Sequence, residues 1–231
     1  EQNEVYVNIK NNEELILSGE VFVTKNPCLH PGDIKILKAK GKCPQLSHLI
    51  NVIVFSAKGD RPMPNMIGGG DLDGDTYYVS WNQEIIRSIK IRNVPSLDDP
   101  NYSGNVFQKE KAVNKTFITM EDITNTYLDA SKNSHVPLIS NLHSAFADED
   151  LEKGAFNEKC LLLSQLFSVE IDSAKHGKFI DPNIFKEKGL ELNAYPDFLN
   201  IENFPSYESK GILGQLYRSI DKSYVLSEYD K

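Results

Sequence analysis

"GGGDLDGDTYYVSW" occupies residues 68–81 and places Asp71, Asp73 and Asp75 at every second position behind three glycines. Carboxylates this close repel one another, and each raises the pKa of its neighbours. The chain already carries a formal net charge of −8, so a further local cluster of anions needs a reason.

Three readings compete. A calcium loop of the EF-hand type needs Gly at loop position 6 and Glu at position 12. Counted from Asp71, those positions hold Thr76 and Asn82, and "TYYVSW" leaves the loop as a strand pattern rather than a helix. A hairpin turn uses one Asp and one Gly, which leaves two aspartates and Gly68–Gly70 without a role. A metal site uses all of them. Positions i, i+2 and i+4 of an extended segment project to one side, so Asp71, Asp73 and Asp75 converge on one cation while Leu72 anchors the other way. Gly74 permits the bend, and Gly68–Gly70 leave room for a backbone or a phosphate chain. Hard oxygen ligands suit Mg²⁺, and a dication offsets the repulsion. The matching chemistry is two-metal nucleotidyl or phosphoryl transfer, with Mn²⁺ as a substitute ion.

Outward from the loop, residues 1–92 read as β. "EVYVNI", "LILSGEVFVTK", "DIKILKAK" and "NVIVFSA" are short apolar or alternating runs between Gly, Pro and Asn turns, a barrel or sandwich pattern. Residues 93–112 read as a linker or long loop. Residues 113–231 read as mainly helical. Thr119 with Asp122 forms a capping box, opening a helix to about residue 131. Leu138, Leu142 and Phe146 mark a second helix. Cys160, Leu163, Phe167, Ile171 and Ala174 share a face of a third, which ends with Lys175 and His176 before Gly177. "SKGILGQLYRSI" is a last short helix. The fold class is therefore α+β.

With 231 residues, 40% hydrophobic, the chain has ordinary globular composition and no apolar run long enough to span a membrane. It starts at Glu1 without a signal peptide and reads as a piece of something longer. Three cysteines without C-x-x-C spacing indicate a reducing, intracellular compartment, cytoplasm or nucleus. A zinc site from Cys28, His30, Cys43 and His48 fits no common spacing. Lys38, Lys40 and Lys42 alternate, as a phosphate track or as solvated edge-strand lysines.

Further blocks accompany the aspartate loop: "VTKNPCLHPGDIKIL" (23–37), "ISNLHSAFAD" (139–148), "KCLLLSQLFSVEIDSAKHG" (159–177) and "YESKGILGQLYR" (207–218). Together they resemble the cellular RNA-dependent RNA polymerases of eukaryotic RNA silencing, in the family's order and over nearly the whole chain. The resemblance implies a double-psi β-barrel over 1–92, the second, aspartate-bearing barrel of the polymerase core. It implies that Asp71, Asp73 and Asp75 are catalytic magnesium ligands. It also implies a lysine-bearing first barrel that this chain lacks, so the chain alone should not polymerise.

Implied substrates are a single-stranded RNA template and nucleoside triphosphates, with double-stranded RNA as product for small interfering RNA pathways and Dicer and Argonaute proteins as possible partners. Lys25 stands where the related multisubunit polymerases place an Arg near the incoming ribose. Asp172 and Lys175 pair across one helical turn or face the cleft, and Gly74 belongs to the nucleotide-facing loop. Two rivals stay open: a fragment of a DNA-templated multisubunit polymerase, and a non-enzymatic metal- or nucleic-acid-binding module.

Overall fold

Val21 and Val23 point the same way along one strand, and so, two residues on, does Lys25. That column runs into the barrel core and ends at the aspartate loop. A computed structural model of the chain describes residues 1–10, 12–92, 108–110, 117–132, 134–171, 173 and 178–220. The chain divides into two units, Glu1–Gly104 and Asn105–Lys231.

The first unit is built on a six-stranded mixed sheet: β1 (Glu4–Lys10), β2 (Glu14–Ile16), β3 (Ser18–Lys25), β4 (Lys35–Lys40), β5 (Val52–Phe55) and β6 (Tyr77–Ser80). The hydrogen-bonded order is β2-β1-β4-β3-β6, with β5 on β1. Val5 pairs with Ala39 in parallel and with Phe55 in antiparallel register, so β4 and β5 lie on opposite edges of β1. The strand path thus ends in β5 and β6. The rings of Phe55 and Tyr77 meet edge-on at 5.0 Å between centroids, which draws those two end strands together and curls the sheet. Inside lie Val5, Val7, Leu17, Val21, Val23, Leu37, Ala39, Met63 and Ile67. This is the sheet of a double-psi β-barrel, and the α+β class holds for the chain.

Helix α1 (Gln83–Ile91) departs from the all-strand reading of residues 1–92. Asn82 caps it by accepting from the N–H groups of Glu84 and Ile85, and Ile86 is buried. A side-chain cap followed by one buried apolar position favours helix over strand here.

In the second unit, α2 (Met120–Lys132) starts at the expected capping box. The Asp122 N–H donates to Thr119 Oγ1 at 3.2 Å, and Asp122 Oδ2 accepts from the Thr119 N–H at 3.0 Å. Helices α3 (Val136–Glu149) and α4 (Glu158–Ile171) supply the apolar core, with Ile139, Leu142, Ala145 and Phe146 from one and Cys160, Leu163, Leu166 and Phe167 from the other. The buried faces differ from those the spacing predicts. Ile139 replaces Leu138, and Ile171 is 49% exposed while Glu170 is buried.

Glu170 explains the second difference. Its carboxylate accepts from the backbone N–H of His135 at 2.9 Å and of Ile180 at 3.4 Å, which ties the start of α3 to β8 (Lys178–Ile180). A buried carboxylate with such partners can outcompete an apolar neighbour for the inner position. β8 pairs with β7 (Gln108–Glu110), a strand inside the span read as linker. The remainder of 93–112 lies outside the described residues except Gln108–Glu110, as do Asp172 and 174–177.

Helix α5 (Asn183–Glu187), the two-residue strands β9 (Tyr195–Pro196) and β10 (Ser206–Tyr207), and α6 (Ile212–Ser219) complete the chain. Among the described residues no helix is long and apolar enough to cross a membrane.

Burial, with the charge of Asp150, pushes the Cys160 thiol up to about 12, and the side chain is fully buried. At pH 8 the folded protein should therefore leave Cys160 unmodified by a thiol reagent, with labelling appearing only on unfolding. Mass spectrometry of labelled peptides against denaturant would check this. Rapid native-state labelling of Cys160 would contradict the packing.

Candidate metal centre

The chain between β5 and β6 makes the site. A short turn at Pro64–Met66 leads to Ile67, which is fully buried in the barrel. Gly68 and Gly69 follow at φ +61° and +67°, a left-handed stretch that side chains disfavour. Gly70 donates its N–H to Pro64 O at 3.0 Å. A Cβ on Gly70 would lie 2.5 Å from Tyr77 Oη, 2.9 Å from Pro64 O and 3.0 Å from Asp75 Oδ2. The third glycine of the run is therefore needed for close approach, inside the loop itself.

Asp75 gathers the loop around its side chain. Its Oδ2 accepts from the backbone N–H groups of Asp71 at 3.1 Å and Leu72 at 3.3 Å. Its Oδ1 accepts from Lys25 Nζ at 2.8 Å. Asp71 Oδ1 takes the Asp73 N–H at 3.4 Å. The result is a tight turn, which corrects the expectation of an extended segment. Leu72 sits at φ +66° and is 62% exposed, so it anchors nothing. The three carboxylates still meet, because the turn folds around Asp75. One oxygen from each of Asp71, Asp73 and Asp75 lies within 4.8 Å of the others. Asp71 and Asp73 are exposed and Asp75 is partly buried. Gly74 has φ +126° with open space where a Cβ would stand.

Burial favours the neutral acid at Asp75. The Lys25 ammonium and the N–H groups of Leu72 and Asp71 outweigh that, and hold its carboxyl below the ordinary range. Tyr77 moves the other way. Burial first, then the charges of Asp75 and Asp71, raise its hydroxyl, which stays protonated beside the carboxylates.

Of the other residues singled out by sequence, Lys25 reaches the cluster and Lys175 lies outside the described residues. His30 is a turn residue: its Nδ1 accepts the Gly32 N–H at 3.0 Å. Lys38 and Lys40 are exposed on β4, which lies between β1 and β3 rather than at an edge. In register Lys38 stands between Glu4 and Glu20, so the lysines are interleaved with acids. Two residues escaped sequence reasoning, Gly70 as a contact point and Tyr77 as its neighbour. Their signal was a Tyr two residues beyond the last aspartate, on the core-facing side of β6.

Far along the chain, the "YESK" block is a polar hub. Ser209 Oγ donates to Asp148 Oδ1 at 2.6 Å, Tyr207 Oη donates to Asp148 Oδ2 at 3.1 Å, and Arg218 Nη2 donates to the Ser209 carbonyl at 2.6 Å. Arg218 Nη1 also pairs with Asp197.

The sequence profile of the family described as RNA dependent RNA polymerase matches residues 1–220. The chain belongs to that family. RNA-dependent RNA polymerase 6 of Arabidopsis thaliana is 37% identical over 209 residues, covering 90% of this chain and 16% of the relative. The probable RNA-dependent RNA polymerase SHL2 of Oryza sativa subsp. japonica is 39% identical over 213 residues, 92% of this chain and 16% of that protein. RNA-dependent RNA polymerase 1 of Schizosaccharomyces pombe is 34% identical over 206 residues, 88% of this chain and 16% of that protein.

Among solved structures, the RNA dependent RNA polymerase QDE-1 from Thielavia terrestris superposes with a TM-score of 0.69 at 22% identity, over 99% of this chain and 27% of that one. That likeness is one of fold. The chain spans about a sixth of the length of these curated relatives.

Two measurements probe the loop. Gly70→Ala should lower stability by about 1–3 kcal/mol, the usual range for overpacking. Tyr77→Phe in the same chain should restore part of that loss, since Pro64 O still crowds the site. Chemical denaturation of the wild type and the two variants would show it. In metal-free buffer, the Asp75 carboxylate contributes stability because folding lowers its pKa. That contribution is complete above the unfolded carboxyl's pKa of about 3.9 and is lost as pH falls through the lower folded value. The gap in unfolding midpoint between wild type and Asp75→Asn should close over that window and stay constant from pH 5 to pH 7.

Proposed function

We propose that this chain is the aspartate-bearing part of an enzyme that makes RNA on an RNA template. The observation that carries the reading is the meeting of three carboxylates on one barrel loop in a chain of this family. Three hard oxygen donors within 4.8 Å of one another, exposed on one side, fit a divalent cation. Asp71, Asp73 and Asp75 would hold Mg²⁺, or Mn²⁺ in its place. When bound, such ions lower the pKa of a 3′-hydroxyl and offset the charge on a leaving pyrophosphate.

The reaction is nucleotidyl transfer. The 3′-oxygen of the growing strand forms a bond to the α-phosphorus of a nucleoside triphosphate, the α–β phosphoanhydride bond breaks, pyrophosphate leaves, and the hydroxyl proton passes to solvent. This chain's residues serve it by holding and aiming. Asp75 orders the loop, and Tyr77 and Gly70 set where Asp75 can stand. Gly74, without a Cβ, leaves the outer side of the loop clear for substrate. Lys25 and Lys175 are the candidates for contact with nucleotide or RNA.

The wider role follows from the family. We infer a single-stranded RNA template, a double-stranded RNA product and a place in RNA silencing, with Dicer or Argonaute pathway proteins downstream and an intracellular setting in cytoplasm or nucleus. A first barrel with lysines, outside these residues, would complete the active site.

The test is nucleotide incorporation by the full polymerase chain containing these residues. Asp73→Ala should reduce Mg²⁺-dependent incorporation on single-stranded RNA by on the order of 10³-fold or more, the scale seen when a group that offsets transition-state charge is removed. Unchanged incorporation by the variant would refute the site. Incorporation confined to single-stranded DNA templates would replace the RNA-templated reading.

A further inference from the structure

Lys25 is the last residue of β3 and pairs in register with Tyr77 of β6, the second residue after Asp75. The ladder therefore fixes its Cα beside the exit of the aspartate loop. Its stem runs past the glycine turn: a Cβ on Gly68 would meet Lys25 Cε at 3.6 Å and Cβ at 3.9 Å. Its ammonium ends 2.8 Å from Asp75 Oδ1, with side-chain exposures of 16% for Lys25 and 12% for Asp75. Exposed lysine pairs contribute little, but this one is enclosed at both ends.

We propose that Lys25 is the resident counter-cation of the aspartate loop, holding it assembled before metal arrives and competing with the divalent cation for Asp75. This rests on the reading of Asp71, Asp73 and Asp75 as a metal centre. Three carboxylates within 4.8 Å of one another repel, and the Lys25 ammonium is set against one of them, Asp75. A divalent ion held by the three aspartates would take up the same negative charge close to the Lys25 ammonium that contacts Asp75, so the two cations would oppose each other.

Removing the ammonium has two opposite effects. It frees Asp75 Oδ1 and takes away a like charge, which strengthens metal binding. It also removes one restraint on Asp75. The N–H groups of Asp71 and Leu72 stay on Oδ2 and keep the carboxylate aimed, so the charge effect dominates. Lys25 thus keeps the empty loop ordered at the expense of metal affinity. That role is separate from contact with a nucleotide.

The experiment titrates the protein with Mn²⁺ and follows free ion by electron paramagnetic resonance, alongside thermal unfolding in EDTA and in saturating Mn²⁺. Lys25→Met should bind Mn²⁺ about tenfold more tightly than wild type. Its unfolding temperature should drop in EDTA and recover toward wild type in Mn²⁺. Lys25→Arg, which keeps the charge, should bind as wild type does. Lys25→Gln repeats the neutral test with a polar side chain in case the methionine variant does not fold. Equal or weaker binding by the neutral variants overturns the proposal while leaving the metal centre intact. Wild-type binding that Asp73→Asn fails to reduce overturns the metal centre itself, and the proposal with it.

Discussion

Asp75 is the point on which the loop turns. One carboxylate oxygen accepts two backbone N–H groups of its own loop, and the other accepts the Lys25 ammonium from a neighbouring strand. Two exposed unit charges about 5 Å apart in water repel by about 1 kcal/mol, so three aspartates set up a strain of about 3 kcal/mol. A hydrogen bond to a charged group contributes about 1.5–3 kcal/mol. The three contacts of Asp75 together outweigh that repulsion.

The barrel exists, from the loop's point of view, to bring Lys25, Asp75 and Tyr77 into register. β3 lies between β4 and β6, and the pairing of Lys25 with Tyr77 is the last rung of its ladder. Val21 and Val23 on the same face are fully buried, which pins the strand against sliding. A one-residue slip would turn Lys25 out to solvent and leave Asp75 without its cation. The ring contact between Phe55 and Tyr77 brings the two end strands together, so one residue serves both the closure of the sheet and the wall of the site.

The second unit follows a similar logic with different chemistry. Buried Glu170 satisfies the backbone at the start of α3 and the end of β8, and Asp148 organises Ser209 and Tyr207. In each case a carboxylate fixes a loop that apolar packing alone would leave free. The blocks of sequence that carry the family resemblance coincide with these polar joints as much as with the core.

The sequence alone identified the family, the strand-then-helix order, the capping box at Thr119 and the three aspartates as a group. These are local: they depend on spacing of two to four residues, on turn chemistry, or on motifs read in order. What it misjudged was equally physical. An extended backbone would anchor Leu72, whereas the hydrogen bonds to Asp75 force a turn that leaves it exposed. Helical spacing puts Ile171 on the buried face, but Glu170 occupies it, because the backbone donors of His135 and Ile180 come from elsewhere in the chain. The partnership of Lys25 with Asp75 spans 50 residues and depends on strand register. No periodicity encodes such a contact. Spacing along the chain marked the three aspartates as a group, and only the tertiary structure decided that Lys25, Gly70 and Tyr77 stand around Asp75, because those contacts are set by distances across strands.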